Sequence, residues 1–157
     1  METAFMATPM GVLEIKGDAS GLASVHFMDT DVSSSEAIPE VLLSVVTQLK
    51  EYFSKTRTEF QLNLNPEGTQ FQKKVWKQLE TIAFGKTTSY QKMANSLGNP
   101  KVIRAAASAN GKNPIAIIIP CHRVIGTDGS LTGYAGGLHR KKWLLAHESP
   151  VKQGELF

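Results

Sequence analysis

Apolar and polar residues alternate in short segments over the first part of the chain. Segments 3–8, 11–16 and 21–28 are rich in residues that favour strands, and glycine-containing turns separate them. This pattern predicts an antiparallel meander of three strands. Apolar residues then recur at helical spacing over 39–54, and alternation over 59–64 predicts one more strand.

The pattern becomes helical after a turn at residues 65–68. Thr69 and Gln72 have the spacing of a capping box, which marks the start of a helix. Thr88 and Gln91 repeat the same spacing. The helices predicted from these signals cover 70–82 and 88–97.

Two more helices complete the predicted elements. An alanine-rich helix over 101–110 follows the helix over 88–97, and Gly98 lies in the turn between them. Helix, glycine-containing turn and helix form the outline of a helix-turn-helix. A final helix covers 138–148, and we expect the tail from Pro150 to be frayed.

An apolar run at 115–119 precedes the only cysteine of the chain. The run is rich in isoleucine and predicts a buried strand, which Pro120 ends. Cys121 follows, with His122 directly after it. The end of a buried strand is a suitable place to present a nucleophile, although an inert core cysteine is the alternative interpretation.

A cysteine nucleophile needs a nearby base, and a histidine base needs a carboxylate that orients it. Acidic residues are scarce around Cys121. The residue pattern alone leaves three candidates open: Glu80, Asp128 and Glu148.

Charge is divided unevenly along the chain. Residues 1–70 carry four Lys or Arg and ten Asp or Glu, whereas residues 71–142 carry twelve and two. A segment with a net charge of +10 favours a polyanionic partner, with nucleic acid first, over a plain solvated basic face. The change of sign at the turn predicts two domains, 1–66 and 67–157.

Several classes of protein fit the sequence poorly. No apolar stretch approaches the roughly 20 residues that span a bilayer, so we expect no membrane association. The first residues lack the features of a signal peptide. One cysteine cannot form an intramolecular disulfide, and no Cys/His cluster has zinc spacing, so we expect no metal and a reducing, cytoplasmic location.

Five stretches of the second half resemble the O6-alkylguanine-DNA alkyltransferases (methylated-DNA–protein-cysteine methyltransferases), in the order found in that family. The Pro-Cys-His-Arg-Val sequence at 120–124 is the most specific of the matching features. The matching stretches are 71–79, 88–90, 113–123, 134–138 and 143–148.

The resemblance implies an α+β fold. The N-terminal domain would be a small antiparallel sheet with a helix, ribonuclease-H-like, and the C-terminal domain a mostly helical, winged helix-turn-helix-type domain that carries the active-site cysteine. It also implies DNA repair by irreversible, single-turnover transfer of an alkyl (methyl) group from O6-alkylguanine in duplex DNA to Cys121. No cofactor would be needed, and O4-alkylthymine is a further candidate substrate. The protein would be a monomer, with clustering on DNA as an option, in the cytoplasm (or the nucleus of a eukaryote).

The resemblance also implies catalytic roles for individual residues. Cys121 would attack the alkyl carbon, His122 would take the thiol proton through a water molecule, and Glu148 would hold His122. Asn113 would brace the turn that carries the cysteine. Tyr90 would crowd the target phosphate and donate a proton to the leaving base.

Further residues would bind the base and the DNA. Lys141 would lie near the leaving base, and Arg104 would intercalate where the flipped nucleotide had been, from a helix in the minor groove. Ala135 stands where many family members have serine, and we expect little loss because backbone groups make this contact. The implied pocket residues are Tyr134, Ala135, Gly136 and Gly137. The implied DNA contacts are Tyr90, Lys101, Arg104, Ala105, Ser108 and Arg123.

Three alternative functions fit the sequence less well. A non-enzymatic relative that flips alkylated bases lacks the acceptor cysteine. A DNA-binding regulator would leave Cys121, His122 and Glu148 without a purpose. A thiol hydrolase would not account for the basic segment.

Overall fold

The computed structural model describes residues 1–150, which divide into two compact units. The first unit contains Met1–Glu67 together with Pro114–Ile118. The second contains Gly68–Asn113 and the chain from Ile119 onward. The assignment of 1–66 and 67–157 as domains stays a prediction, and the predicted tail beyond Pro150 lies outside the described residues.

A three-stranded antiparallel sheet forms most of the first unit, as predicted. Its strands follow one another in the order β1-β2-β3, and side chains such as Ala4, Leu13 and Val25 are fully buried. One helix, α1, packs its apolar face inward and begins after a 3-10 turn at Glu40–Leu42. The elements are β1 (Glu2–Thr8), β2 (Gly11–Asp18), β3 (Gly21–Phe27) and α1 (Leu43–Phe53).

The strand predicted over 59–64 is wrong. Only Leu64 bridges the sheet, in parallel with Leu22. Leu22 N donates to Asn63 O and Asn65 N donates to Leu22 O, both at 2.8 Å. The segment with alternating side chains therefore pairs with β3 at a single residue. Alternation of apolar and polar residues does not predict how many residues of a segment pair with a neighbouring strand.

The strand predicted over 115–119 is wrong as well. Ile115 makes an isolated bridge with Val25, and the chain then turns through residues 116–118. Ile117 has a φ of +71°, which is a rare conformation for a β-branched residue. The apolar run correctly predicts burial, since Ile115, Ile117 and Ile119 are almost fully buried. It does not predict the conformation of the backbone.

The second unit is mainly helical, with a two-stranded parallel sheet. The capping box of Thr69 and Gln72 is confirmed at the start of α2. The second predicted box is wrong: Thr88 pairs with Val124 in the sheet, and Ser89 caps α3 instead. The elements are α2 (Gln70–Leu79), β4 (Thr88–Ser89), α3 (Tyr90–Ser96), α4 (Ile103–Gly111), β5 (Val124–Ile125) and α5 (Leu138–Glu148).

Helices α3 and α4 form the helix-turn-helix that the sequence predicted. Helix α2 contacts both of them. Trp76 Nε1 donates to Ala109 O at 2.8 Å inside the unit, and Lys74 Nζ donates to Leu97 O at 3.2 Å. Ala106 is fully buried against this support. Because Trp76 and Lys74 contact the ends of α4 and α3, they fix the position of both helices.

No helix within residues 1–150 is long and apolar enough to cross a membrane.

Candidate active site

Cys121 begins a short 3-10 turn, Cys121–Arg123, that follows directly after Pro120. Cys121 is 5% exposed. Two asparagines hold the backbone around it: Asn110 in the last turn of α4, and Asn113 just after that helix. Asn113 Nδ2 donates to Ile119 O at 2.8 Å, and Asn110 Nδ2 lies 3.4 Å from Cys121 O. The backbone on both sides of Pro120 is therefore tied to the helix-turn-helix.

The Cys121 thiol is protonated at rest. Burial raises its pKa to about 11, and this outweighs a hydrogen bond from Asn113 and the positive charge of Lys141, both of which lower the pKa. Because the thiolate is the nucleophilic form, the site needs a group that removes the proton when substrate is present.

His122 and Glu148 form a buried pair next to the thiol. His122 Nε2 lies 2.7 Å from Glu148 Oε2, and both side chains are almost completely buried. Burial alone would raise the pKa of Glu148, but the hydrogen bonds and charges of His122 and Arg123 hold it at about 2. Since Glu148 is ionised and can only accept, His122 donates from Nε2.

The other ring nitrogen of His122 is available as a base. Nδ1 is buried and has no hydrogen-bond partner among residues 1–150. Burial lowers the pKa of His122, while Glu148 raises it and the charges of Arg123 and Lys141 lower it further. A neutral imidazole with its proton on Nε2 can accept a proton at Nδ1.

The structure selects Glu148 from the three carboxylates that the sequence left open. Glu80 and Asp128 are exposed, and the Asp128 carboxylate accepts from Ser130 N within its own turn. Only Glu148 contacts the His122 ring among these three residues.

Arg123 does not lie where a DNA contact would need it, which corrects the prediction for this residue. It is 6% exposed, and its guanidinium donates to Glu148 at 2.7 and 3.0 Å. A third guanidinium nitrogen, Nη1, donates to Ile82 O. These contacts are inside the unit, and Arg140 and Lys141 are buried as well, so the basic segment holds three fewer surface cations than its composition suggests.

Tyr90 and Lys141 converge on one backbone carbonyl. Tyr90 Oη donates to Thr132 O at 3.0 Å, and Lys141 Nζ donates to the same oxygen at 2.8 Å. The ammonium group also lies 5.8 Å from the centre of the Tyr90 ring. Burial lowers the pKa of Lys141, and the neighbouring Cys121 opposes this shift. The structure thus brings these two predicted residues together.

The predicted pocket loop leads directly into α5. The Tyr134 hydroxyl is buried without a hydrogen-bond partner among the described residues, and burial raises its pKa well above the usual value. Gly137 has a φ of +94°, and a Cβ there would lie 2.9 Å from the His139 ring, so this position requires glycine. Gly136 O accepts from Arg140 at 3.1 Å, whereas Ala135 is exposed.

The residues predicted to face DNA on α4 and its preceding turn are exposed. They lie three or four residues apart and therefore share one helical face. The opposite face carries the buried Ala106 and Ala109, which explains half of the alanine run by packing. The exposed residues are Lys101, Arg104, Ala105 and Ser108.

No group of three or more His, Cys, Asp or Glu side chains within residues 1–150 has the geometry to hold a metal ion.

Two domain families match the chain. "6-O-methylguanine DNA methyltransferase, DNA binding domain" matches residues 70–150, and the corresponding "ribonuclease-like domain" matches residues 1–66. The chain belongs to this family. Its α+β fold and its candidate acceptor cysteine agree with that membership.

Individual alkyltransferases are similar over nearly their whole length. The methylated-DNA–protein-cysteine methyltransferase of Methanosarcina acetivorans is 44% identical over 94% of this chain and 98% of its own. The Mycobacterium tuberculosis protein of the same name is 44% identical over 95% and 93%. The solved structure of Mycobacterium tuberculosis OGT in complex with DNA has a TM-score of 0.85 at 42% identity, covering 94% of this chain and 93% of that one.

The sequence did not predict two contacts in the site of this alkyltransferase. Asn110 gives no signal beyond its position three residues before Asn113 on the same helix end, and its Oδ1 is buried without a partner among residues 1–150. Thr132 contributes only its backbone carbonyl, which no side-chain pattern reports.

Proposed function

We propose that this protein repairs DNA by moving the alkyl group of O6-alkylguanine onto Cys121. Membership of the alkyltransferase family supplies the reaction class. One observation carries the assignment of residues: a buried thiol is followed in the same turn by a histidine whose Nε2 is held by Glu148 and whose Nδ1 is unpartnered among residues 1–150.

The chemistry is a displacement at the alkyl carbon. The Cys121 sulfur forms a bond to that carbon as the bond from carbon to guanine O6 breaks. The thiol proton passes through a water molecule to His122 Nδ1, and Glu148 stabilises the imidazolium that forms. Tyr90 supplies a proton to the departing guanine, and Lys141 stabilises the charge that develops there.

Asn113 and the loop after β5 prepare the site for this step. Asn113 fixes the carbonyl of Ile119 and hydrogen-bonds the thiol, so the sulfur is held in one direction. Tyr134, Ala135, Gly136 and Gly137 line the base pocket. Tyr90 and Lys141 exchange Thr132 O for acceptors on the base when the substrate binds.

The exposed face of α4 would lie in the minor groove. A base stacked in duplex DNA must be extruded before its O6 substituent can reach a buried thiol. Arg104 is the large side chain among the exposed residues of α4, beside the small Ala105 and Ser108, and it would fill the gap left by the flipped nucleotide. Lys101 and the neighbouring cations contact phosphates.

The remaining features of the proposal follow from the chemistry. The thioether on Cys121 is stable and the chain has no second thiol to remove it, so each molecule acts once and without a cofactor. We propose a monomer in the cytoplasm, in which domain 67–157 carries both DNA binding and transfer.

The variant Cys121→Ser tests this assignment. It should abolish transfer from a duplex that contains one O6-methylguanine, yet bind the duplex as tightly as the unchanged protein, because the helix-turn-helix is untouched. Binding is measured by fluorescence anisotropy and transfer by loss of the methyl group from DNA. Transfer that persists in Cys121→Ser would overturn the role of Cys121.

A further inference from the structure

We infer that Arg123 is a positioning residue that balances the charge of Glu148, so that His122 rests as a neutral imidazole ready to accept the thiol proton. This inference rests on the proposed function and adds to it a residue that touches neither substrate nor thiol.

The first argument is the sharing of one carboxylate. Glu148 Oε1 accepts from Arg123 Nε at 2.7 Å, and Oε2 accepts from both Arg123 Nη2 at 3.0 Å and His122 Nε2 at 2.7 Å. The guanidinium therefore donates to both carboxylate oxygens of Glu148, whereas the imidazole donates to one of them. Paired hydrogen bonds of this kind fix the plane of the carboxylate, and this plane sets the direction of the His122 ring.

The second argument is that Arg123 is itself immobilised. Its Nη1 donates to Ile82 O, and its guanidinium carbon lies 5.8 Å from the centre of the Phe84 ring. The loop after α2 thus supports the far side of the guanidinium. Because arginine is planar and remains charged, it delivers its charge at a fixed place and at every relevant pH.

The third argument is electrostatic. A lone buried carboxylate beside a histidine favours the imidazolium, which has no free acceptor nitrogen and cannot act as the base. The charged and titratable groups around His122 are Glu148 and Lys141 on α5, with Cys121 and Arg123 in its own turn. Burial lowers the pKa of His122, Glu148 opposes this, and Arg123 and Lys141 lower it again. The ion pair of Arg123 and Glu148 orients the ring without charging it.

Four variants separate this role from simple structural support. Arg123→Met removes the cation and keeps a long side chain, whereas Arg123→Lys keeps the charge and loses the paired hydrogen bonds. The double variant Arg123→Met with Glu148→Gln removes both buried charges, which proteins often tolerate better than one unpaired charge. Arg57→Gln is the control: it removes the same formal charge from a surface pair with Glu51 in the first unit.

The readout is the pH dependence of Cys121 alkylation by free O6-benzylguanine, which needs no DNA binding. The rate falls as His122 becomes protonated, so a higher pKa of His122 moves the acid limb of the profile to higher pH. We expect Arg123→Met to move that limb up by about one pH unit, a loss of roughly tenfold in rate below it. Arg123→Lys should move it less, and Arg57→Gln should leave it in place.

Histidine NMR titration of His122 provides a second measurement that does not depend on rate. The pKa of His122 should rise in Arg123→Met and fall again in the double variant. If Arg123→Met fails to fold, the double variant and Arg123→Lys still test the inference. A pKa of His122 that is higher in the double variant than in the unchanged protein would overturn it. An acid limb that stays in place in folded Arg123→Met would overturn it too.

The unchanged protein separates failure of this inference from failure of the proposed function. If it transfers neither the methyl group of an O6-methylguanine duplex nor the benzyl group of O6-benzylguanine to Cys121, the proposed function itself fails. If it transfers either group and the variants show the unchanged pH profile with that substrate, only the role of Arg123 is lost.

Discussion

The substitution Glu148→Gln removes one charge from a buried ionic cluster of the second unit. Glu148 is 2% exposed and accepts hydrogen bonds from His122 and Arg123. Glutamine keeps the shape of the side chain but leaves the Arg123 cation without its counter-charge. Breaking a buried pair by removing one partner typically costs about 3–5 kcal/mol.

The pKa of Glu148 gives a second route to the size of the effect. It falls from an ordinary value of 4.5 to about 2 in the folded protein, because the contacts of His122 and Arg123 outweigh burial. A depressed carboxyl pKa contributes stability that is present above the unfolded pKa and is lost as the pH falls through the folded value. This difference in pKa is worth roughly 3 kcal/mol, a large part of the total stability of an ordinary domain.

Urea unfolding measured as a function of pH tests this reasoning. At neutral pH the Glu148→Gln variant should lose about 3 kcal/mol or more relative to the unchanged protein. The gap should shrink as the pH falls from 4.5 toward 2, because the unchanged protein then loses its own carboxylate. Glu80→Gln, a substitution of an exposed carboxylate in the same unit, is the control and should show almost no gap. A gap that does not change with pH would refute the electrostatic reasoning.

Three further predictions concern the helices that present the site. Trp76→Phe removes the indole donor to the buried Ala109 carbonyl, which then relies on the longer bond from Lys112 N at 3.2 Å, and should cost about 0.5–1.5 kcal/mol in urea unfolding; an unchanged midpoint would contradict this. Gly68→Ala places a Cβ 2.5 Å from Trp76 Cη2 and should lower the melting temperature, whereas Gly111→Ala meets nothing within 4 Å and should leave it unchanged or raise it. Arg104→Ala should slow repair of duplex DNA far more than alkylation by free O6-benzylguanine, and equal slowing of both reactions would remove its proposed role in base flipping.

Local signals in the sequence predicted the helices well. The capping box of Thr69 and Gln72 depends on residues three positions apart, and the structure contains both of its hydrogen bonds. The second box failed at Thr88 because a partner 36 positions away in sequence, Val124, takes that residue into a sheet. A capping signal depends on residues that are close together in the sequence, whereas the partner of a strand can be far away in the sequence.

Burial was predictable at residues 115–119, but backbone conformation was not. The isoleucine-rich run is buried, as an apolar run usually is. It turns at Ile117 because only one residue of the run finds a strand partner. A short apolar run therefore predicts that a segment is buried, but it does not predict the backbone conformation of that segment.

The candidate site shows the same division. The adjacency of Cys121 and His122 is visible in the sequence, whereas the pairing of His122 with Glu148 spans 26 positions and needed the family resemblance. Arg123 was placed on the DNA because neither the resemblance nor the charge of the segment shows which cations are paired inside the protein, and its partner Glu148 lies 25 positions away.

The most direct test of the account is mass spectrometry of the intact protein and its peptides after incubation with an equimolar duplex that contains one O6-methylguanine. The account predicts one added methyl group, located on the peptide that contains Cys121, and no further reaction when more damaged duplex is added. Methylation at any other residue, or turnover beyond one equivalent, would contradict it. Binding of the duplex with no change in protein mass would show a damage sensor and not an alkyltransferase.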